Sequence, residues 1–146
     1  MFRGRSKHTL DEKGRLAIPT RFKDVLKQKE DMSLILTNHE TCLWAYASED
    51  WKKMIEEKAA NLPMFDEDTT QFFRYFISGA QECQVKQGRI TIPPDLREIA
   101  GLNKDVVLVG TLRLFEIWDR EKWSEVFEKA RVSFPKISRS LTALGI

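Results

Sequence analysis

Cysteine, histidine and long apolar runs are scarce in this sequence, and each scarcity excludes a class of protein. Cys42 and Cys83 form no CxxC pair, and His8 and His39 are not spaced like metal ligands. A zinc site and a disulfide scaffold are therefore disfavoured, and we expect two reduced, structural cysteines. No stretch of about 18 apolar residues exists, and the first residues lack the apolar core of a signal peptide. We expect a cytoplasmic protein with no membrane partner.

Catalytic motifs are missing as well. The sequence has no nucleophile with a nearby histidine, no glycine-rich phosphate loop and no paired metal ligands. Because catalysis needs such groups at defined spacings, we predict that the protein is not an enzyme and uses no metal or cofactor.

Charge is segregated along a chain whose overall balance is nearly neutral. The 146 residues are 42% hydrophobic and 32% charged with a net charge of +2, which is typical of a soluble globular protein. Residues 1–29 carry a net charge of +6, residues 30–70 carry −7, and residues 71–146 carry +3. A basic segment indicates a polyanion partner, although a merely solvated charged surface is an equal alternative on this observation alone.

The most informative feature is an internal repeat. Residues 10–26, LDEKGRLAIPTRFKDVL, return 74 residues later at 84–100 as QVKQGRITIPPDLREIA, and weaker echoes continue at an offset of 72 as far as the pair Trp51 and Trp123. Each copy is too short to build an ample core by itself. The sequence therefore predicts an α+β, mostly β fold, in which two intertwined repeats form one pseudo-twofold unit with peripheral helices.

Local signals give each copy the order strand, turn, strand, helix, then two strands and a second helix. In the first copy we predict a β-hairpin with strands Phe2–Leu10 and Arg15–Ile18, and a helix that begins at Pro19. The other predicted elements are strands at Ser33–Thr37, Thr41–Ala47, Val106–Gly110 and Leu112–Trp118, helices from Glu49 and Arg120, an acidic linker Pro63–Asp68, a buried helix Thr69–Ile77 and a loose tail Ser133–Ile146. The tryptophans could stack on bases, but their spacing favours core or interface positions.

The turn before Arg15 has a chemistry suited to nucleic acids. Glycine at the end of a tight turn projects the next side chain from a rigid edge, and a guanidinium group presents a planar fork of donors to guanine edges and phosphates. Asp11 can hold the Arg15 fork in one orientation, which reduces the rotamer entropy lost on binding. A purely structural Asp–Arg pair is the common alternative. In the second copy, Val85 replaces the aspartate, so Arg89 lacks that local carboxylate.

These motifs resemble the MraZ family. The resemblance is carried by MFRG at residues 1–4, LDEKGRL with Ile18-Pro19, GAQEC at 79–83, Gly88-Arg89, Ile92-Pro93, AGL at 100–102, Val109-Gly110 and FEIW at 115–118, and it covers nearly the whole chain except the tail. It implies tandem SpoVT-AbrB-type swapped-hairpin domains, a ring-shaped homo-oligomer, and a nucleoid-associated bacterial regulator of the division and cell-wall gene cluster that begins with its own gene.

The resemblance and the turn chemistry together give a set of predicted DNA contacts. The paired DxxxR signatures mark DNA-binding loops in the family, and those roles fall here on Asp11 and Arg15. The predicted DNA-binding residues are Arg3, Arg5, Lys7, Asp11, Lys13, Gly14, Arg15, Lys86, Gln87, Gly88 and Arg89. The predicted domains are 5–50 and 79–122, with a helical connector 51–78 and a C-terminal helix and tail 123–146.

Two functions remain open at this stage. The first is a sequence-specific DNA-binding regulator, expected to act as a repressor, whose several identical loops engage short direct repeats in double-stranded DNA. The alternative is an oligomeric assembly or interaction protein in which the Gly-Arg turns dock subunits and no DNA is read. Salt-sensitive retention on DNA separates them, because phosphate neutralisation makes affinity fall with salt.

Overall fold

A computed structural model describes all residues, 1–146, as a six-stranded antiparallel sheet, a separate two-stranded ribbon and flanking helices. The sheet has the order β1-β7-β8-β4-β3-β5, and the ribbon pairs β2 with β6. The strands are β1 Arg5–Thr9, β2 Arg15–Ala17, β3 Ser33–His39, β4 Cys42–Ala47, β5 Gln81–Gln84, β6 Arg89–Thr91, β7 Asp105–Gly110 and β8 Leu114–Asp119. The predicted α+β class built on antiparallel sheet is confirmed.

Helices follow the strands at matched places in the two repeats. They are α1 Thr20–Gln28, α2 Ser48–Trp51, α3 Glu57–Ala59, α4 Glu67–Phe72, α5 Pro94–Ile99 and α6 Arg120–Leu141, with π-helical segments Lys52–Glu56 and Phe73–Ile77 and a 3-10 turn Thr142–Leu144. Pro19 and Pro93 stand just before α1 and α5, where the missing proline N–H costs nothing. None of these helices combines the length and the apolar character needed to cross a bilayer.

The two repeats exchange strands. β1 of the first repeat pairs with β7 of the second, with Arg5 opposite Val109, and β5 of the second pairs with β3 of the first. The predicted hairpin of Phe2–Leu10 with Arg15–Ile18 is therefore wrong beyond its turn, since β1 and β2 diverge to different partners. The physical reason is that each strand completes the other repeat's sheet, a choice that local sequence cannot reveal.

The main core lies between the sheet and the ribbon. Leu16 and Ile90 of the ribbon pack with Phe22 of α1, Leu96 of α5 and the sheet residue Phe115, all essentially buried. The ribbon is thereby held as a rigid edge on one face of the sheet. The opposite face is covered by the aromatic-rich helices that follow β4 and β8.

Two predicted elements differ in the structure. The tail Ser133–Ile146 was expected to be loose, yet α6 continues through Pro135 to Leu141. The helix predicted at Thr69–Ile77 begins at Glu67, because the Asp66 side chain caps it by accepting from the Thr69 N–H. It is only half-buried, since Phe73 and Tyr75 are 38% and 43% exposed.

Candidate nucleic-acid interface

The ribbon presents two arginines side by side on its outer face. Arg15 lies opposite Thr91, Leu16 opposite Ile90, and Ala17 opposite Arg89. Side chains alternate along a strand, so burial of Leu16 and Ile90 turns Arg15 and Arg89 outward, and both are exposed. Their positions are diagonal neighbours across an antiparallel pair, which places them roughly 7–8 Å apart. The structure thus brings the two Gly-Arg motifs into one surface.

Hydrogen bonds extend the ribbon symmetrically into the opposite turn. The Ile18 N–H donates to the Gly88 carbonyl, and the Ile92 N–H donates to the Gly14 carbonyl, both at 2.9 Å. Each glycine turn is therefore anchored by a strand of the other repeat. The two turns lie at opposite ends of one pseudo-twofold element.

Asp11 organises the first turn. The Gly14 N–H donates to the Asp11 carbonyl at 3.0 Å, and Gly14 has a φ of +79°, which favours glycine. The Asp11 carboxylate accepts from the backbone N–H groups of Lys13 and Arg15 at 2.9 Å each and from Arg15 Nε at 2.5 Å. The bond from the Arg15 N–H is the main cause that lowers the pKa of Asp11, and the Arg15 guanidinium also contributes. The fork of Arg15 is thus fixed, while 42% of its side chain stays exposed.

The second turn is shorter and leaves its arginine free. Lys86 and Arg89 exchange backbone hydrogen bonds at 2.9 and 3.0 Å around Gln87 and Gly88. These two residues have φ values of +53° and +74°, and positive φ at both central residues is the requirement of a type I′ turn. Val85, at the position of Asp11, packs against the core. The guanidinium of Arg89 makes no hydrogen bond or ion pair in the structure.

A cation from the opposite repeat lies over each turn, which sequence reasoning missed. The Arg97 side chain of α5 lies so close to Gly14 that a Cβ there would be 2.7 Å from Arg97 Cζ. Lys23 of α1 occupies the matching place beside Gly88, with Nζ 3.2 Å from such a Cβ. Lys23 and Arg97 are 74 residues apart, the offset of the repeat itself, so this shared offset was the available signal.

The basic residues before the first turn, Arg3, Arg5 and Lys7, lie elsewhere on the molecule. Arg5 and Lys7 pair with Val109 and Val107 on the sheet face that α6 covers, away from the ribbon, and the Arg5 guanidinium lies 4.7 Å from the centre of the Phe127 ring. Arg3 precedes β1 at the same sheet edge. The structure therefore brings together the predicted residues of the two turns, but it separates Arg3, Arg5 and Lys7 from them. Any contact of these three with DNA stays a prediction.

Comparisons with known proteins agree with the two-repeat organisation. The family model described as "MraZ protein, putative antitoxin-like" matches residues 1–74 and again residues 76–143, one match for each repeat. A "Transcriptional regulator MraZ" of Syntrophobacter fumaroxidans is 44% identical over 99% of this chain and 97% of its own length. Proteins of the same name from a Thermoanaerobacter species and from Acetivibrio thermocellus are each 42% identical over the full length of both chains.

Proposed function

The chain belongs to the MraZ family, and we propose that it is a sequence-specific DNA-binding transcriptional regulator. The observation that carries the proposal is the β2–β6 ribbon, with Arg15 and Arg89 exposed on one outward face. The major groove of B-DNA admits a two-stranded ribbon, and arginine pairs with guanine O6 and N7 there. The names of the relatives agree with this function.

The two arginines have different proposed roles. Arg15 is held by Asp11 through a charge-assisted bond, so its fork is preorganised and suited to reading a guanine edge. Arg89 has no such partner and acts mainly on phosphate together with Lys86 and the turn of Gln87 and Gly88. One ribbon therefore reads bases asymmetrically, with most of the sequence information at the Arg15 end.

Lys13 and Gly14 complete the proposed first contact. Lys13 is exposed at the tip of the turn, where an ammonium group suits a phosphate oxygen. Gly14 lets the backbone make the turn that projects Arg15. These contacts position the protein, and the guanidinium fork of Arg15 specifies the site.

Multivalency is the proposed source of affinity. One short ribbon covers few base pairs, so a single contact is weak. Several copies in a ring-shaped homo-oligomer, each on one short direct repeat, raise the effective concentration and can multiply affinity by about 10²–10⁴. This proposal keeps the predicted domain organisation. It has two SpoVT-AbrB-type domains at residues 5–50 and 79–122, a helical connector at 51–78, and a C-terminal helix and tail at 123–146.

The proposed target is the division and cell-wall gene cluster, including the protein's own gene, as the family resemblance implies. Bound over its own promoter in the nucleoid, the protein would act as a repressor by occupying the DNA that the polymerase needs.

Footprinting upstream of its own gene, at several salt concentrations, tests the proposed function. We expect protection of evenly spaced short repeats, and a specific affinity that falls linearly with salt on logarithmic axes. Scrambled DNA of equal length is the control. Equal affinity for operator and scrambled DNA would refute base reading, and a lack of DNA retention at low salt would favour the alternative of a pure assembly protein.

A further inference from the structure

A basic and aromatic cavity lies between β1 and the first two turns of α6. β1 is the outermost strand of the six-stranded sheet, so we call this space the edge cavity. It has a volume of about 440 Å³, and its lining includes Arg5, Lys7, Arg120, Trp123, Ser124 and Phe127. None of the residues that line it is acidic.

Strand pairing places two of the cations on one wall of the edge cavity. Arg5 and Lys7 are two residues apart in β1, so both side chains lie on the same face of the sheet. Lys7 is opposite Val107, which belongs to the apolar cluster on which Trp123 packs. Arg120, the first residue of α6, adds a third cation from the other side. Strand and helix thus bring three positive charges to one space.

These three cations have no anionic partner within the chain. The ion pairs of the structure involve other residues, and the side chains of Lys7 and Arg120 are exposed without a hydrogen bond. The Arg5 guanidinium lies over the Phe127 ring, 4.7 Å from its centre. Like charges held close together repel each other, so an anion bound among them would be stabilised.

The opposite wall of the edge cavity is aromatic. Trp123 and Phe127 are one turn apart on α6, with ring centres separated by 5.7 Å, and both are partly exposed, Phe127 to 36%. Trp118 packs behind Trp123, with 5.9 Å between the ring centres. A nucleobase stacks on such rings because every base has a π face. The two walls together suit a compound that joins an aromatic base to phosphate groups.

Size and surrounding charge favour a single nucleotide over a nucleic-acid strand. A volume of about 440 Å³ falls in the range typical of small-molecule sites. Beyond the first turn of α6, the surface continues into a depression where carboxylates outnumber cations. The charged residues of that depression are Lys104, Asp105, Asp119, Arg120 and Glu121. The carboxylates would repel the phosphates of a strand that continued in this direction.

We propose that the edge cavity binds a nucleoside diphosphate. The base lies against Trp123 and Phe127, and the diphosphate, which has enough charge to meet all three cations, is held by Lys7 and Arg120. Arg5 lies where the aromatic and the basic walls meet. The edge cavity is on the sheet face opposite the β2–β6 ribbon, so this site is separate from the proposed DNA contact and does not depend on it.

Calorimetric titration of the full-length chain with ADP and with GDP, without a divalent cation, tests the proposal. Adenosine and pyrophosphate each carry only one half of the ligand. Because each of them contacts only one wall, we expect both to bind about 10-fold or more weakly than ADP. No binding of either nucleotide at millimolar concentration would refute the proposal, and so would equal binding of pyrophosphate and ADP.

Two variants examine the two walls separately. Lys7→Gln/Arg120→Gln removes two exposed cations and no packing, whereas Phe127→Leu removes an aromatic face and keeps an apolar side chain. The matched control, Lys52→Gln/Lys58→Gln, makes the same change in charge at exposed positions of the helical segment that corresponds to α6 in the first repeat.

We expect the basic-wall and the aromatic-wall variant each to weaken ADP binding by about 10-fold, and the control to bind like the native chain. Thermal melting verifies that each variant is folded. If Phe127→Leu unfolds, Lys7→Gln/Arg120→Gln still decides, because it changes no buried group. Native affinity for ADP in that variant would contradict the proposal.

Competition experiments distinguish the edge cavity from the proposed DNA contact. A saturating duplex with one operator repeat should leave ADP binding unchanged, and Arg15→Ala should lose the duplex and keep ADP. Displacement of ADP by the duplex would mean that Arg5 and Lys7 contact DNA, which would rule out a separate nucleotide site. A short thymidylate strand that binds more tightly than ADP, and loses this binding in Lys7→Gln/Arg120→Gln, would show a strand site and would equally overturn the inference.

Discussion

Gly14 of the first repeat lies against the guanidinium group of Arg97 from the second repeat. A Cβ at Gly14 would approach Arg97 Cζ and Nε to 2.7 Å, and that Nε is buried without a hydrogen-bond partner. The turn that projects Arg15 is thus supported from the other repeat. The orientation of Arg15 in the first repeat therefore depends on how Arg97 of the second repeat packs.

We expect Gly14→Ala to damage both stability and DNA binding. The added methyl group must displace Arg97, and a non-glycine residue at positive φ costs about 1–2 kcal/mol in the free energy of unfolding. Gly88→Ala is the matched control, since its Cβ would meet only the flexible end of Lys23 at 3.2 Å. Thermal melting should rank the variants Gly14→Ala below Gly88→Ala below the native chain. Equal melting temperatures for Gly14→Ala and Gly88→Ala would show that the Arg97 side chain can move away from the added methyl group without a loss of stability.

Arg15→Ala and Arg89→Ala should change DNA binding in different ways. Arg15→Ala should erase the preference for operator over scrambled DNA, with a loss of about 1–3 kcal/mol for each base contact. Arg89→Ala should weaken binding to both DNAs alike and lower the salt slope by about one. Gel shifts on both duplexes at several salt concentrations measure this. A complete loss of operator preference in Arg89→Ala would mean that both arginines read bases.

Asp11→Asn should reduce operator preference less than Arg15→Ala does, because the amide oxygen can still accept from the backbone of the turn. Asp11→Ala removes the acceptor for both N–H groups as well, so it should also loosen the turn. The stability contributed by the Asp11 carboxylate should depend on pH. The pKa of Asp11 is lowered in the folded turn, so the fold favours the carboxylate. This contribution to the free energy of unfolding is present above the ordinary aspartate pKa and is lost as the pH falls through the lowered pKa of the folded state. Acid titration by NMR, compared with Asp11→Asn, would check this. An Asp11 pKa at or above the ordinary value would contradict it.

Val85→Asp should destabilise the protein and should not sharpen specificity. Val85 is half-buried against the core, and its N–H donates to the Met32 carbonyl at 2.8 Å. A carboxylate there loses hydration without gaining a partner, for which we expect a cost of about 1–3 kcal/mol. Urea unfolding of Val85→Asp and of the near-isosteric Val85→Thr measures it. Native stability together with tighter operator binding would show that the side chain can turn outward and hold Arg89.

Cys83 should react slowly with iodoacetamide in the folded protein. Burial raises the pKa of the Cys83 thiol to about 11, and the nearby Glu82 adds to the effect. Compared with an ordinary thiol at 9.0, that leaves about 100-fold less thiolate at pH 8. Labelling should therefore accelerate as pH rises toward 11 and become fast in urea. Cys42, also buried with a raised pKa, should behave alike. Fast labelling at pH 8 under native conditions would contradict this prediction, because it would mean that at least one of the two thiols is accessible to solvent.

The sequence predicted the local units of the fold well because their signals are local. The repeat, the prolines before α1 and α5, and the glycine turns before Arg15 and Arg89 all lie where their residues require. The sequence predicted that the two repeats intertwine, but it could not identify β1 and β5 as the exchanged strands, since any alternating strand can pair with several others. α6 runs past its expected end, through Pro135 to Leu141, and the apolar residues Phe127, Phe134 and Ile137 keep the three- and four-residue spacing of a helix through that segment.

The candidate site was predicted only in part. Residue types and spacing identified Asp11, Arg15 and Arg89, and the turns do come together. The sequence could not show that Arg5 and Lys7 lie apart from the turns, because the face that a strand turns toward depends on its partner, and β7 directs both residues toward α6. Their contact with DNA stays a prediction. Arg97 was missed because its position over Gly14 is a contact between repeats.

The exchange of strands also dictates the order in which the chain can fold. β1 finds its partner β7 about a hundred residues later, and β2 waits for β6. A nascent chain carrying only the first repeat therefore leaves β1 and β2 without a partner, and the outer edges of the β3–β4 pair uncovered, until most of the second repeat has left the ribosome. Such long-range closure makes folding slow and leaves the half-made protein open to pairing with its neighbours. By the same logic, the halves made as separate chains would each need the other to become ordered.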